Sequence, residues 1–404
     1  MPIPTPFHER TQALCSSYRW KDWAGYCAVS SFDSTHEREY FAFRESAGLL
    51  DVTPLFKYEV TGPDAAALLA RMMVRDVSKL KVGRVAYSCW CDDDGKVIDD
   101  GTVSRLGESH FRVTAADPTF HWLQALSRGF DVEIEDSSTR LAALALQGPT
   151  ARAILQDAVG SSQTGSQIDA LKFFGVTRTE IKGIPVWISR TGYTGDLGYE
   201  VWSERGEALA VWDALMAAGG PHGIEPVGLD ALDVARIEAG FILLGVDYYS
   251  SHKVVLEARK STPHELGFGW MVDLERGNFI GRDAIAAEIK RGSTWQLVGL
   301  EVSWRELEAL YESFNLPPSL PVTASRSGLP IYSGSEEGRQ VGQATSHTWS
   351  PILKKYLAIA SVRRGFEAKG AKLQIEHTVE YERRKVTATV APLPFYDPER
   401  KRKP

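Results

Sequence analysis

Apolar and polar positions alternate over residues 56–61 (FKYEVT). Gly62 and Pro63 then turn the chain into residues 64–73 (DAAALLARMM), where strong helix formers follow an acidic first position. The pattern predicts a strand, a turn and a helix. The same order returns at residues 141–159: LAALALQ reads as a buried strand, Gly148 and Pro149 as the turn, and TARAILQDAV as the helix. Two copies at so long a spacing describe a duplicated supersecondary unit, not a solenoid. Residues 84–92 and 97–105 predict two strands joined at Asp93, Asp94 and Gly95, a hairpin signal. Residues 111–115 predict a third strand and 118–127 a helix. Residues 186–190 and 199–202 form a strand pair around a glycine-rich loop, and helices are expected over 207–218 and 229–240. Strands and helices mix without strict alternation, so the expected class is α+β and not a doubly wound parallel sheet. Past about residue 291 the texture changes. Short strand-like segments at 296–302, 340–345, 357–362, 372–376 and 385–390, spaced by Gly and Pro, predict a small all-β sandwich or barrel.

At 404 residues the chain has room for two or three domains of about 100–200 residues each. A hydrophobic fraction of 43% with 24% charged residues excludes wholesale disorder. The net charge of −6 argues against a broad nucleic-acid surface. The one concentrated basic run, Arg400 to Lys403, reads as a solvated terminus. No apolar run approaches the roughly 20 residues of a membrane helix, and the first ten residues lack a signal-peptide core. Four cysteines, Cys15, Cys27, Cys89 and Cys91, are too few and scattered for a disulfide scaffold. They read as reduced thiols of a cytoplasmic protein, with no metal site.

Three stretches carry candidate chemistry. Asp99 and Asp100 end a β-branched strand beside Gly101; on a strand they point to opposite faces, so at most one reaches a given pocket. Their alternative role is a turn with hydrogen-bonding acids. Residues 190–200 (RTGYTGDLGYE) hold three glycines at a spacing of three, flanked by Tyr193 and Glu200. There is no G-K-[ST], and a strand follows, so no helix N-terminus faces a phosphate. The loop suits a flat, hydrogen-bonding ring, or it is a twisted hairpin with glycines at positive φ. The helix over 229–240 is amphipathic, with Asp233 and Arg236 placed to pair at i, i+3.

Together these motifs resemble the aminomethyltransferase (glycine cleavage T-protein) family of tetrahydrofolate-dependent enzymes, which includes folate-dependent demethylases. The resemblance starts at residues 44–52 (RESAGLLDV) and continues through 61–64 (TGPD), 76–83 (DVSKLKVG), 97–100, 147–149 and 171–175 (LKFFG). It then covers the glycine loop, 235–240 (ARIEAG) and 279–284 (FIGRDA). It implies an α+β fold of three domains packed as a cloverleaf around a folate channel, the last a small β-barrel. In this numbering the domains would be 1–55 plus 140–245 (folate-binding), 56–139 plus 246–290, and 291–404. Carried over position by position, the resemblance makes Glu200 the pterin-binding glutamate and Tyr193 its neighbour. It sets Asp99 and Asp100 beside the reacting nitrogens as catalytic acids, and places Tyr87 and Tyr396 at folate-contacting positions. A carboxylate matches the pterin's N3–H and 2-amino edge through charge-assisted hydrogen bonds. Tetrahydrofolate is the expected cofactor.

The departures from the family pattern favour its demethylase branch. Where T-proteins have a folate-binding arginine, this chain has Leu232. Residues 51–56 read DVTPLF, residues 114–117 read TAAD, and residues 248–261 look inserted near the channel. The expected activity is transfer of a methyl group from a small methylated substrate to N5 of tetrahydrofolate. The alternatives are aminomethyl transfer from a lipoyl carrier protein in the glycine cleavage system, and folate binding without turnover. Neither nucleic acid nor membrane is an expected partner. The aromatics Tyr18, Trp20, Trp23, Tyr26, Phe32 and Trp90 are either core or a pocket for a methylated, cationic donor.

Overall fold

The computed structural model describes residues 1–160, 165–334 and 338–403, with the backbone alone at 165–167. A six-stranded sheet runs in the order Val176–Ile181, Ile184–Ser189, Gly198–Glu204, Leu141–Gln147, Ala47–Asp51, Ile224–Pro226. Its last pair is parallel and the others are antiparallel. A five-stranded antiparallel sheet has the order Arg84–Cys91, Val97–Gly107, His110–Ala115, Phe56–Thr61, Glu133–Asp136. Towards the C-terminus, six strands from Trp295–Val302 to Glu382–Ala391 close into a barrel. A small N-terminal sheet pairs Arg19–Trp23 with Tyr26–Ser31. The class is α+β, of the cloverleaf type with a C-terminal barrel. We propose that each of the two large sheets with its helices, and the barrel, is one domain.

The duplicated unit has the same geometry in both sheets. Phe56–Thr61 leads into the helix Ala65–Met72, and Leu141–Gln147 into Ala151–Val159. Ala65, Leu68, Leu69 and Met72 are buried in the first; Ala151, Ile154, Leu155 and Ala158 are buried in the second. These are the i, i+3, i+4, i+7 positions of a helix lying on its own sheet. The turns need glycine: Gly62 has φ +123° and Gly148 φ +132°. An added Cβ would lie 2.4 Å from the Asp131 carbonyl oxygen in one and 2.5 Å from that of Ser46 in the other.

Two sequence expectations change. The C-terminal region, read as all-β, carries the helix Trp304–Glu312. Ser303 caps it by accepting the Glu306 N–H at 3.3 Å, a Ser-x-x-Glu start signal beneath the strand texture. The basic tail is docked at Arg400 and Lys401, and only Arg402 and Lys403 are exposed. Arg400 binds both oxygens of Asp196 at 2.7 Å, Lys401 is buried, and Arg190 donates to the carbonyls of Lys401 and Lys403.

A buried polar cluster joins the parts. Arg44, on the helix Glu37–Glu45, donates to Glu238 Oε2 at 2.6 Å and to the Thr194 carbonyl at 3.0 Å, and lies 3.7 Å from Asp196. Glu238, ending the helix Leu229–Glu238, accepts from Tyr40 at 2.6 Å and from Ser350 of the barrel at 2.5 Å. The side chains of Arg44, Glu238 and Asp196 have no solvent exposure. Arg44→Met leaves the buried Glu238 carboxylate without its cation, while Asp196 keeps Arg400, so it should lower stability by about 3–5 kcal/mol. A urea denaturation midpoint unchanged from wild type would contradict this role.

Candidate active site

The two large sheets and the barrel enclose a cavity of about 1630 Å³. Tyr87 and Asp100 reach it from the five-stranded sheet. Tyr193 and Glu200 reach it from the six-stranded sheet and its loop, and Val298 and Val390 from the barrel. Four of the six sequence-predicted residues therefore share one chamber.

The glycine loop owes its shape to one buried amide. Gln147 donates to the carbonyls of Thr191 at 3.2 Å and Tyr199 at 3.3 Å, and accepts from Thr194 at 3.0 Å. A Cβ on Gly192 or Gly198 would fall 1.9 or 2.1 Å from Gln147 Oε1. These two glycines make room for a side chain; of the loop's three glycines, only Gly195 has positive φ. The loop then turns Tyr193 and Glu200 towards the cavity. Glu200 Oε2 accepts from Thr191 at 2.8 Å and Ser189 at 3.4 Å, while Oε1 has no partner among the described residues. Burial raises the Glu200 carboxyl above its ordinary range, and the two hydroxyls pull it back. Tyr193 donates to the Ile242 carbonyl at 2.5 Å and stacks on Phe241 with ring centroids 5.4 Å apart.

Strand alternation separates the two aspartates. Asp99 is fully buried and accepts three backbone N–H groups: Asp100 at 2.7 Å, Ala116 at 3.0 Å and Asp117 at 2.9 Å. It fixes the turn after the strand His110–Ala115. Asp100 faces the cavity, where the hydroxyls of Tyr87, at 2.6 Å, and Tyr248 clasp its two oxygens. Burial lifts the Asp100 carboxyl, and the two hydroxyls oppose that shift. The strand must lie close to its neighbour here, since a Cβ on Gly101 would sit 1.9 Å from the Thr114 carbonyl oxygen.

The structure does not bring Tyr396 into the cavity lining. Its hydroxyl pairs with Asp196 at 3.1 Å and Arg400 at 2.7 Å, and its ring stacks under Arg44 at 4.4 Å. Nor do the N-terminal aromatics assemble a donor pocket. Trp23 alone of them lines the cavity, Tyr18 is exposed, and Tyr26, Phe32 and Trp90 are core. Leu232 does face the cavity. From residues 248–261, Tyr249, Ser250 and Lys253 line it, and Lys253 reaches Asp117 at 2.6 Å. Tyr248 and Gln147 were not anticipated as site residues. Gln147 opens the Gln-Gly-Pro stretch of residues 147–149, but nothing local marks the contact of Tyr248 with Asp100. Cys89 and Cys91 are buried free thiols.

Two α+β halves and a β-barrel around a carboxylate-bearing cavity define the class of protein. Residues 7–276 match the family described as GCVT N-terminal domain, and residues 314–397 that described as Glycine cleavage T-protein C-terminal barrel domain. The chain belongs to the glycine cleavage T-protein family, whose members are tetrahydrofolate-dependent enzymes, and it is itself an enzyme. It is 34% identical to an aminomethyltransferase of Geobacillus sp. over 93% of this chain and 94% of that one. It is 33% identical to a trimethylamine-oxide aldolase of Ruegeria pomeroyi over 98% of this chain, which spans only 47% of that longer protein. The glycine cleavage system aminomethyltransferase T of Bartonella henselae superposes with a TM-score of 0.81 at 25% identity, covering 98% of this chain and 99% of that one. No helix among the described residues is long and apolar enough to cross a membrane.

The two aspartates should respond differently to the same change. Asp99→Asn turns an amide N–H₂ towards backbone donors and should lower stability by about 1–3 kcal/mol. Asp100→Asn keeps an acceptor for two rotatable hydroxyls, so it should melt like wild type while losing turnover. Equal melting temperatures with equal turnover for the two variants would refute this division.

Proposed function

We propose that the enzyme moves a methyl group from a small methylated donor to N5 of tetrahydrofolate. The observation that carries the binding half is Glu200: a half-buried carboxylate on the cavity wall, with one oxygen held by hydroxyls and the other open. That arrangement fits the pterin's N3–H and 2-amino edge, with Tyr193 beside it. When bound, tetrahydrofolate supplies a nucleophilic amine at N5. Asp100, fixed by Tyr87 and Tyr248, would face the reacting nitrogens and orient them. Holding acceptor and methyl carbon in line contributes up to about 7–11 kcal/mol, so most of the task is positioning.

Two observations favour a small, free donor. Tyr249, Ser250, Lys253 and Val254 lie along the cavity, and Lys253 ties this segment to Asp117 on its rim, which narrows the way in for a bulky carrier. Phe268 also lines the cavity, with Trp270 and Tyr249 exposed at its mouth beside Arg75 and Arg259. Aromatic faces suit a methylated ammonium or sulfonium at about 0.5–2 kcal/mol per contact. Such a donor leaves as a neutral group and needs no proton from the enzyme. The similarity to trimethylamine-oxide aldolase supports a methylated-amine donor, without naming it. The second reading, aminomethyl transfer in the glycine cleavage system, is supported by the aminomethyltransferases that this chain matches along almost its whole length.

Product identity decides between them. With tetrahydrofolate in excess, the enzyme is offered a panel of methylated ammonium and sulfonium compounds and, separately, an aminomethylated lipoyl carrier protein. The expected outcome is 5-methyltetrahydrofolate from a free donor and little ammonia from the carrier. Rapid ammonia release with methylenetetrahydrofolate from the carrier would replace methyl transfer with the second reading.

A further inference from the structure

One wall of the cavity ends in cations held on a single helix face. Asp230 and Asp233 are one turn apart on the helix Leu229–Glu238, both nearly buried. Asp230 takes Lys21 Nζ at 2.5 Å and lies 3.4 Å from Arg19. Asp233 takes Arg326 through Nε at 2.8 Å and Nη2 at 2.7 Å. Arg236 also touches Asp233, at 3.2 Å, but its charge is met by Asp247 at 2.6 Å. Three cations thus converge on the two carboxylates of this helix face, and two of them, Lys21 and Arg326, reach the cavity. Lys21 and Arg326 line the cavity with side chains 39% and 42% exposed. Arg326 Nη1 has no hydrogen-bond partner among the described residues. Arg326 comes from a different part of the chain, the segment before the barrel strand Leu329–Ser333, and Asp233 holds it in place.

The surface leading to this rim is apolar. Leu229, Leu232, Ala145 and Trp202 belong to one contact cluster. It joins the helix that carries the rim to the strand that carries Glu200. Glu200, this wall and Arg326 line one cavity, so a ligand held by Glu200 has an apolar surface to follow towards the rim.

We propose that Arg326, with Lys21 beside it, is the anchor for a ligand carboxylate at this rim, and that the carboxylate is the glutamyl end of tetrahydrofolate. The inference rests on the folate reading of the cavity. Tetrahydrofolate is a pterin, an aminobenzoyl ring and a glutamate in that order, which matches Glu200, an apolar wall and a cationic rim. A guanidinium pre-oriented by a buried aspartate loses little freedom on gripping a carboxylate.

Calorimetry on the full chain separates the possibilities, using tetrahydrofolate and tetrahydropteroate, which lacks the glutamate. Thermal melting of each variant checks the fold. Arg326→Gln should weaken tetrahydrofolate binding at least about tenfold, as expected for a hydrogen bond to a charged group. It should leave tetrahydropteroate binding unchanged, and Arg326→Lys should recover part of the loss. Equal weakening for both compounds, or none for either, would overturn the anchor while leaving the folate reading intact. An Arg326→Gln enzyme that binds both folates normally but shows a raised KM for a carboxylate-bearing donor would transfer the rim to the donor, also against the proposal. A wild-type chain that binds neither compound would remove the folate reading and the anchor together.

Discussion

A buried guanidinium, Arg44, fixes how the parts of this protein meet. Away from solvent itself, it holds the buried Glu238 at 2.6 Å and the carbonyl of Thr194 at 3.0 Å, and sits over the partly exposed Tyr396. In a low-dielectric interior such groups tolerate few alternative arrangements, because any unpaired charge is expensive. The pairing ties a helix of the first sheet to the end of the helix Leu229–Glu238, and through Ser350 to the barrel. Through Asp196 and Arg400 it also captures the C-terminal tail. Thr194 and Asp196 are residues of the glycine loop itself, so the same cluster that closes the fold sets the loop that presents Tyr193 and Glu200.

The site then assigns different surroundings to chemically identical groups. Asp99 is spent on backbone donors, Asp100 is clasped by two tyrosine hydroxyls at the cavity wall, and Glu200 keeps an oxygen open. Each comes from a strand, where side-chain direction is fixed by alternation and not by a mobile loop. A rigid frame of this kind suits a reaction whose difficulty is alignment and not proton transfer. It also accounts for the demand on glycine at 101, 192 and 198, where the neighbouring groups leave no room for a Cβ.

Much of this was legible along the chain because the signals are local. Period-two strands, the two Gly-Pro turns and the opposite facing of Asp99 and Asp100 all depend on residues within a few positions of one another. What stayed hidden depends on distant partners. Tyr248 meets Asp100 across 148 positions, and Arg400 meets Asp196 across 204, so a basic tail looked solvated when it is docked. Tyr396 sits in an aromatic-looking stretch, yet the Arg44 cluster holds it away from the cavity lining. The helix Trp304–Glu312 was masked by surrounding strands, although its Ser-x-x-Glu start was present. The glycine loop was recognisable, but not the reason for its glycines, which lies in the single side chain of Gln147.

The central claim is that Glu200 binds the pterin of tetrahydrofolate as an ionised carboxylate. Calorimetric titration of tetrahydrofolate into wild type and Glu200→Gln, across a range of pH, tests it most directly. Binding by wild type should weaken as pH falls through the Glu200 pKa, which burial sets above its ordinary 4.5, because the protonated acid loses an acceptor. Glu200→Gln should bind more weakly by about 1.5–3 kcal/mol at neutral pH and should lack that part of the pH dependence. Equal affinities for the two proteins, with both folded, would contradict the account.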